Sequence, residues 1–300
     1  MYLKNIYSKQ LNKLSTIYNK NEANSILKIL YEFLFKEPFY VIYTNFNSQI
    51  LSKNELSKLN YYFNKLMQNI PIQYITHEAY FCDRIFYVNK DVLIPRGETE
   101  ELVNLILMDN KNDNYLFHKF DFKKDINNEI THKKILDIGT GSGCIPITLN
   151  LEDNTLDVYA IDVFPKALKV AKKNNDILKS NVKFILDDIL NPKEIVNHKF
   201  DLIVSNPPYV LESEKGSMHK NVLDNEPKEA LFVPNDNPLL FYDSIVNFAL
   251  NHLNKDGSIY LEINPLVANE MVSNSKKHFS NVKLLKDINN KDRFLVLNGL

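Results

Sequence analysis

The sequence predicts an α/β fold, with a mainly parallel sheet preceded by a small helical bundle. Three observations carry this. Short apolar runs recur at "KILDIG", "DVYAIDV", "VKFIL", "FDLIVSN", "SIYLEIN" and "DRFLVLN". Amphipathic stretches such as "PKALKVAKKNNDILK" and "LLFYDSIVNFALNHL" fall between them. The first seventy residues carry helical periodicity and no β-rich run. Buried strands alternating with helices indicate a parallel sheet covered on both faces.

In the bundle, "EANSILKILYEFLF" sets Ala23, Ile26, Leu27, Leu30, Phe33 and Leu34 on one helix face. "SKNELSKLNYYFNKLMQNIP" opens with Ser52 and Glu55 in capping-box relation and stops at Pro71. From Pro71 to Val92 aromatic and β-branched residues alternate with polar ones, as in a strand pair or extended connector. "LIPRGETEELVNLIL" then begins a helix with Glu98, Glu100 and Glu101 in its first turn, where the helix dipole favours acids. The expected division is a bundle at 1–70, a connector at 71–95 and an α/β domain at 96–300. Residues 109–134 form a polar, aperiodic insertion read as a surface excursion.

Composition narrows the function classes. The 300 residues have a net charge of −1, which gives no general attraction to nucleic acid or an anionic membrane. Two cysteines, Cys82 and Cys144, are too few for a disulfide framework. No signal core or long apolar run is present, so a cytoplasmic chain is expected. Lysine and asparagine abound, whereas there are 7 glycines and three arginines, Arg84, Arg96 and Arg293. Three of those glycines cluster at Gly139, Gly141 and Gly143. His77 and His219 have no metal-ligand spacing and read as surface groups.

The clustered glycines follow an apolar strand that ends in Asp137, in "ILDIGTGSGCI". With Thr140 and Ser142 between them, they let the backbone turn sharply and a ligand approach closely. The spacing differs from the G-x-G-x-x-G of dinucleotide enzymes. The next strand ends at Asp162, about 20 residues on, where an acid would accept from ribose hydroxyls. A third ends in "LDDIL", with Asp188 placed to accept from an adenine amino group and Ile189 to flank the ring. Each acid alone has a plainer explanation: Asp137 caps the turn, Asp162 caps a helix, Asp188 closes a loop. Together, at the carboxyl edge of an open sheet, they mark a ligand site. Carboxylates repel phosphates but suit hydroxyls and a positive centre, which fits S-adenosyl-L-methionine.

The fourth strand runs into Asn206-Pro207-Pro208-Tyr209. Two prolines fix two φ angles and remove two donors, so the hinge is stiff and its acceptors stay unquenched.

These features resemble a Rossmann-like class I methyltransferase that uses S-adenosyl-L-methionine. More narrowly, "PIQYITHEAYF", "VLIPRGETEELV", "ILDIGTGSGCI", "VSNPPYV", "EPKEALF", "YLEIN" and "DRF" stand in the order and spacing of the peptide chain release factor glutamine N5-methyltransferases. The resemblance covers nearly the whole chain. It implies a seven-stranded sheet and methylation of the glutamine in the Gly-Gly-Gln motif of class 1 release factors. It further implies S-adenosyl-L-homocysteine as the product, no metal, and a bundle that docks the protein substrate. The expected enzyme is a monomer that needs neither nucleic acid nor membrane. Asn206, Pro207 and Tyr209 would handle the substrate amide, with Pro208 and Arg96 beside it. Asp137, Gly139, Thr140, Gly141, Ser142, Gly143, Asp162, Asp188, Ile189 and Asn206 would surround the cofactor. Arg96 could instead pair with a surface acid.

Three departures from the family pattern are visible. Gly97 stands where proline is usual and His77 where glycine is common. Asn264 replaces the glycine after "LEI", which suggests left-handed backbone there. An adenine N6-methyltransferase also suits the asparagine-proline hinge, but neutral charge and the lack of a basic recognition region oppose it. A non-catalytic adaptor is opposed by the intact glycine cluster and acids.

Overall fold

The computed structural model describes residues 2–111 and 133–300, so most of the 109–134 insertion lies outside the described residues. The chain divides into two compact units, Met1–Glu78 with Met218–Asn225, and Ala79–Ser217 with Glu226–Leu300. Residues 71–95, the expected connector, are shared between the units: Ile72 and Ile75 of its first part join the core of the first, and Phe81 and Phe86 join the core of the second.

The first unit contains α1 (Leu3–Leu14), α2 (Lys20–Phe35), α3 (Phe39–Thr44), α4 (Lys53–Met67) and α5 (Ile72–Thr76). Asn19 accepts from the Glu22 amide to start α2, and Ser52 and Glu55 form a reciprocal capping box on α4. Leu3, Leu14, Leu27, Leu30, Leu59 and Leu66 meet in an apolar core. His77 follows α5 at φ 61°, in left-handed backbone, which accounts for a glycine preference at this position. A non-glycine residue there costs about 1–2 kcal/mol.

The second unit begins with the hairpin of β1 (Glu78–Phe81) and β2 (Arg84–Tyr87). Cys82 and Asp83 join the strands with φ of 46° and 60°, the geometry of a two-residue turn that matches strand twist. Phe81 and Phe86 are fully buried and pack edge to face. Their cluster includes Val103 of α6 (Gly97–Lys111) and Ile135 of β3 (Lys134–Ile138). Gly97 is the first residue of α6, and a Cβ there would meet no atom within 4 Å, so proline would fit.

After β3 come α7 (Cys144–Glu152), β4 (Asp157–Asp162), α8 (Pro165–Leu178), β5 (Lys183–Leu186) and β6 (Phe200–Ser205). A short parallel pair, β7 (Val210–Leu211) and β8 (Phe232–Val233), brackets α9 (Lys220–Asn225), which belongs to the first unit. The chain ends with α10 (Leu240–His252), β9 (Leu253–Glu262), α11 (Ala268–Ser275), β10 (Asn281–Lys286) and β11 (Asp292–Asn298).

Seven strands make one sheet in the order β10-β11-β9-β6-β3-β4-β5. The pairs from β9 through β5 are parallel, and β11 is antiparallel to both its neighbours. The six apolar runs correspond to six of these strands. β10, "NVKLLK", lies at the edge with only partial burial, so it lacks the apolar run of a central strand.

The chain leaves β3 toward β4 and β5 on one side, then returns to β6 on the other. This reversal opens a crevice at the carboxyl ends of β3 and β6. Ile138 and Ser205 pair across that reversal, and the Ser205 hydroxyl donates to the Ile138 carbonyl at 2.7 Å. The glycine cluster and the proline hinge each begin at the next residue. Among the described residues, no helix is long and apolar enough to cross a membrane.

Candidate active site

A cavity of about 710 Å³ opens at this reversal, within the second unit. Gly139, Thr140, Gly141 and Ser142 line one side, and Asn206, Pro207 and Pro208 line another. Asp162, Asp188, Ile189 and Arg96 complete the predicted residues that reach it.

The glycine turn is tied down by backbone. Gly139 and Thr140 both donate to the Ile161 carbonyl, and Gly143 donates to Thr140 at 2.8 Å. Gly139 and Gly141 have φ of 74° and 54°, and a Cβ on either would meet nothing within 4 Å. Their bare backbone therefore faces open space, as a ligand-cradling turn requires. Gly143 differs. At φ 81°, a Cβ would lie 2.9 Å from Ile147 Cδ1 and 3.2 Å from Ala171 Cβ. It does not line the cavity. Its place in the structure is a packing position between α7 and α8.

The three acids separate in the same way. Asp162 accepts from the Gly141 amide at 2.9 Å through Oδ2 and from Phe164 at 2.9 Å through Oδ1. Each oxygen keeps a lone pair, and the residue lines the cavity. Burial holds its carboxyl above the ordinary aspartate range, partly offset by those amides. Asp188 accepts from the Leu190 amide through Oδ1 and also borders the cavity. Its neighbour Asp187 is occupied by the amides of Asp188, Lys193, Glu194 and Ile195, which fold the turn after β5.

Asp137 is fully buried and does not reach the cavity. Neither of its oxygens has a well-formed hydrogen bond. Burial pushes its pKa up to about 7, with the Thr140 hydroxyl lowering it and the Asp162 charge adding to the rise.

At the hinge, Asn206 Nδ2 donates to Thr99 Oγ1 at 2.9 Å. The Thr99 hydroxyl in turn donates to Glu262 Oε2 at 2.7 Å. Tyr209 also donates to Glu262, through Oε1 at 2.9 Å. Glu262 is 1% exposed, and burial raises its pKa against the lowering effect of the two hydroxyls and Arg293. Tyr209 remains a neutral phenol, because burial and then the Glu262 charge lift its pKa well above the usual tyrosine range. Tyr209 does not line the cavity; it stands behind the hinge, its hydroxyl turned to Glu262.

Arg96 reaches Glu226 Oε1 at 2.6 Å, and Glu226 Oε2 accepts from the Ile94 amide. Glu226 is buried, so the partner is not a surface acid. The pair clasps the "EPKEALF" segment to the start of α6. Asn264 has φ −75° rather than left-handed backbone. Its side chain caps Leu266 and donates to the Tyr209 carbonyl at 2.9 Å, so the asparagine supports the hinge.

Thr99 and Glu262 were not singled out as site residues from the sequence. They sit in "PRGETE" and "YLEIN", and nothing within either string shows that they meet 163 positions apart. Among the described residues, no group of three or more His, Cys, Asp or Glu side chains forms a candidate metal site.

Open backbone at Gly139 and Gly141, spare acceptors on Asp162 and Asp188, and the apolar Ile189 wall together fit a ligand with amino, hydroxyl and aromatic groups. Comparisons with known proteins agree. The Methyltransferase small domain family matches residues 114–231. A release factor glutamine methyltransferase of Flavobacterium psychrophilum is 39% identical over 299 residues, spanning 99% of each chain. Proteins of the same name from Bacteroides thetaiotaomicron and Leptospira interrogans are 41% and 37% identical, covering 83% and 85% of this chain. They span 83% and 84% of those relatives. The seven-stranded, mostly parallel sheet is the Rossmann-like class I methyltransferase architecture. The chain belongs to the release factor glutamine methyltransferase family.

Proposed function

We propose that this enzyme transfers a methyl group from S-adenosyl-L-methionine to the side-chain amide nitrogen (N5) of the glutamine in the Gly-Gly-Gln motif of class 1 peptide chain release factors. One observation carries the reading. An amide tethered through its NH₂ end, Asn206, stands one strand away from an open glycine turn, in a shared cavity.

When bound, the cofactor supplies an electrophilic sulfonium methyl. The residues that would hold it are the backbone of Gly139 to Ser142, the Asp162 and Asp188 carboxylates, and Ile189. Asp162 is suited to ribose hydroxyls and Asp188 to an exocyclic amino group, since each retains acceptor capacity.

A carboxamide nitrogen is a weak nucleophile because its lone pair is delocalised into the carbonyl. Asn206 Oδ1 accepts one hydrogen of the substrate amide and the Pro207 carbonyl accepts the other. Acceptors held in place beforehand stabilise positive charge growing on that nitrogen without reorganising. The new N–C bond would replace the sulfonium's S–C bond, leaving S-adenosyl-L-homocysteine, and one amide proton would pass to solvent. Pro207 and Pro208 prevent the backbone from turning away. Holding the amide in line can contribute up to about 7–11 kcal/mol toward the barrier. Tyr209 supports the hinge from behind, and Arg96 with Glu226 holds the cavity wall. The helical unit docks the folded protein substrate.

The test is incubation with labelled S-adenosyl-L-methionine and a purified class 1 release factor, then mass-spectrometric mapping. A single methyl on the Gly-Gly-Gln glutamine is expected. Label only on DNA or RNA adenine supplied in parallel would overturn the reading.

A further inference from the structure

We infer that Thr99 and Glu262 are positioning residues for methyl transfer, acting as a relay that fixes which end of the Asn206 amide faces the cavity. The inference rests on the functional reading above and deepens it.

An asparagine side chain has a donor end and an acceptor end of nearly equal shape, so shape alone does not choose between them. The partner chooses. Thr99 has one hydroxyl proton, and the buried Glu262 carboxylate takes it at 2.7 Å. What Thr99 then offers Asn206 is a lone pair, and only the NH₂ end can meet a lone pair. The bond at 2.9 Å through Nδ2 is therefore dictated by Glu262, two hydrogen bonds away. Oδ1 is left to face the cavity. With the amide reversed, a donor would point at the substrate amide's hydrogens and oppose them.

Strand register places the relay. Ser205 pairs with Leu261 on β9, so Asn206, one residue past the end of β6, lies level with Glu262, the last residue of β9. Thr99, 3% exposed in the first turn of α6, inserts its hydroxyl between them. Glu262 also accepts from Tyr209, so one carboxylate anchors both polar side chains of the asparagine-proline-proline-tyrosine hinge. The Arg293 guanidinium, with Nη1 3.4 Å from the Tyr209 hydroxyl, supplies positive charge beside this anchor. These donors converge on a carboxylate with almost no exposure, an arrangement that keeps the acceptor role of Glu262.

The test compares Thr99→Val, Thr99→Ser and Glu262→Gln in the full chain. A glutamine-containing release factor serves as substrate, and cofactor affinity is measured separately by calorimetry. Thr99→Val should lower kcat by about tenfold or more, the effect of losing one ordinary hydrogen bond, with cofactor Kd and thermal midpoint little changed. Thr99→Ser keeps the hydroxyl and should recover most of the loss. Glu262→Gln keeps one acceptor, which can still face Thr99 while the NH₂ faces the Tyr209 oxygen, so kcat should fall by no more than in Thr99→Val. Should the buried Glu262 variant fail to fold, the Thr99 pair decides alone. Wild-type kcat in Thr99→Val, or equal loss in Thr99→Val and Thr99→Ser, overturns the relay while leaving the functional reading intact. A wild-type chain that methylates no glutamine overturns both.

Discussion

The glycine turn and the proline hinge leave adjacent strands at paired positions, yet they are held by opposite means. Residues 139–143 are secured mainly through their backbone groups, by the Ile161 and Thr140 carbonyls, the Asp162 carboxylate of the next strand and the Asn174 side chain of α8. Residues 206–209 are secured by side chains from remote segments. Thr99, Glu262, Asn264 and Arg293 all reach them from α6 or from the last third of the chain. The first motif takes most of its bonds from β3 and β4, with one further tie from Asn174 of α8 to the Ser142 carbonyl. The second acquires its geometry only after β9 and α6 are in place. A scaffold for binding can thus form locally, whereas reactive geometry depends on the finished sheet.

Substitutions can break that contrast or sharpen it. The largest expected effect is at the hinge. Asn206→Ala should lower kcat by about 10²–10³, as loss of a preorganised polar contact to developing charge does. Cofactor Kd should stay within about threefold of wild type, since the lost contact belongs to the transition state. Near-normal turnover in a steady-state assay would remove Asn206 from the reaction.

In the glycine turn the expected damage is to the fold. Gly143→Ala combines left-handed backbone with overlap against Ile147 and Ala171, a cost of about 2–4 kcal/mol. Calorimetry should register a midpoint drop of roughly 5–15 °C. Gly141→Ala, facing open space, should lose cofactor affinity with a much smaller thermal penalty. Equal melting of the two variants would show that the packing distinction is wrong.

The smallest effect is a pH dependence. Asp137 has a folded pKa raised to about 7, so its protonated form is the one the fold prefers. Its contribution is complete below the ordinary aspartate value and is lost as pH climbs through about 7. Asp137→Asn should therefore gain on wild type by a few degrees in thermal midpoint between about pH 5 and about pH 8. A constant offset across that window would mean that Asp137 is not the titrating group.

How much of this was legible in the sequence follows from where each partner lies. Central strands announced themselves as apolar runs, and the acids at their ends marked the ligand edge. The capping box at Ser52 and Glu55 was readable because both members fall within one turn. β10 was not, because an edge strand with intermediate burial carries no run of large apolar residues. Asp137 was assigned to the ligand by its place in the motif. Register and burial, which a string of letters does not carry, turn it inward. The relay behind Asn206 is illegible in the sequence for a related reason. Thr99 and Glu262 lie 107 residues before and 56 after it in number, and only strand pairing makes them neighbours. Asn264 looked like a tolerated stand-in for glycine, whereas its amide supports the hinge by bonding the Tyr209 carbonyl.

The buried side chain of Asn174, on α8, bears on how this molecule can be dissected. It accepts from the Tyr87 amide and donates both to the Tyr87 carbonyl and to Ser142 of the glycine turn. Trimming the polypeptide to start at residue 96 would strand two of those three bonds inside the protein, at roughly 1–3 kcal/mol for each orphaned group. It would also empty the space filled by Phe81 and Phe86. The hairpin is thus a buttress for the glycine turn, and a portion cut to stand alone must keep it, starting no later than Ala79.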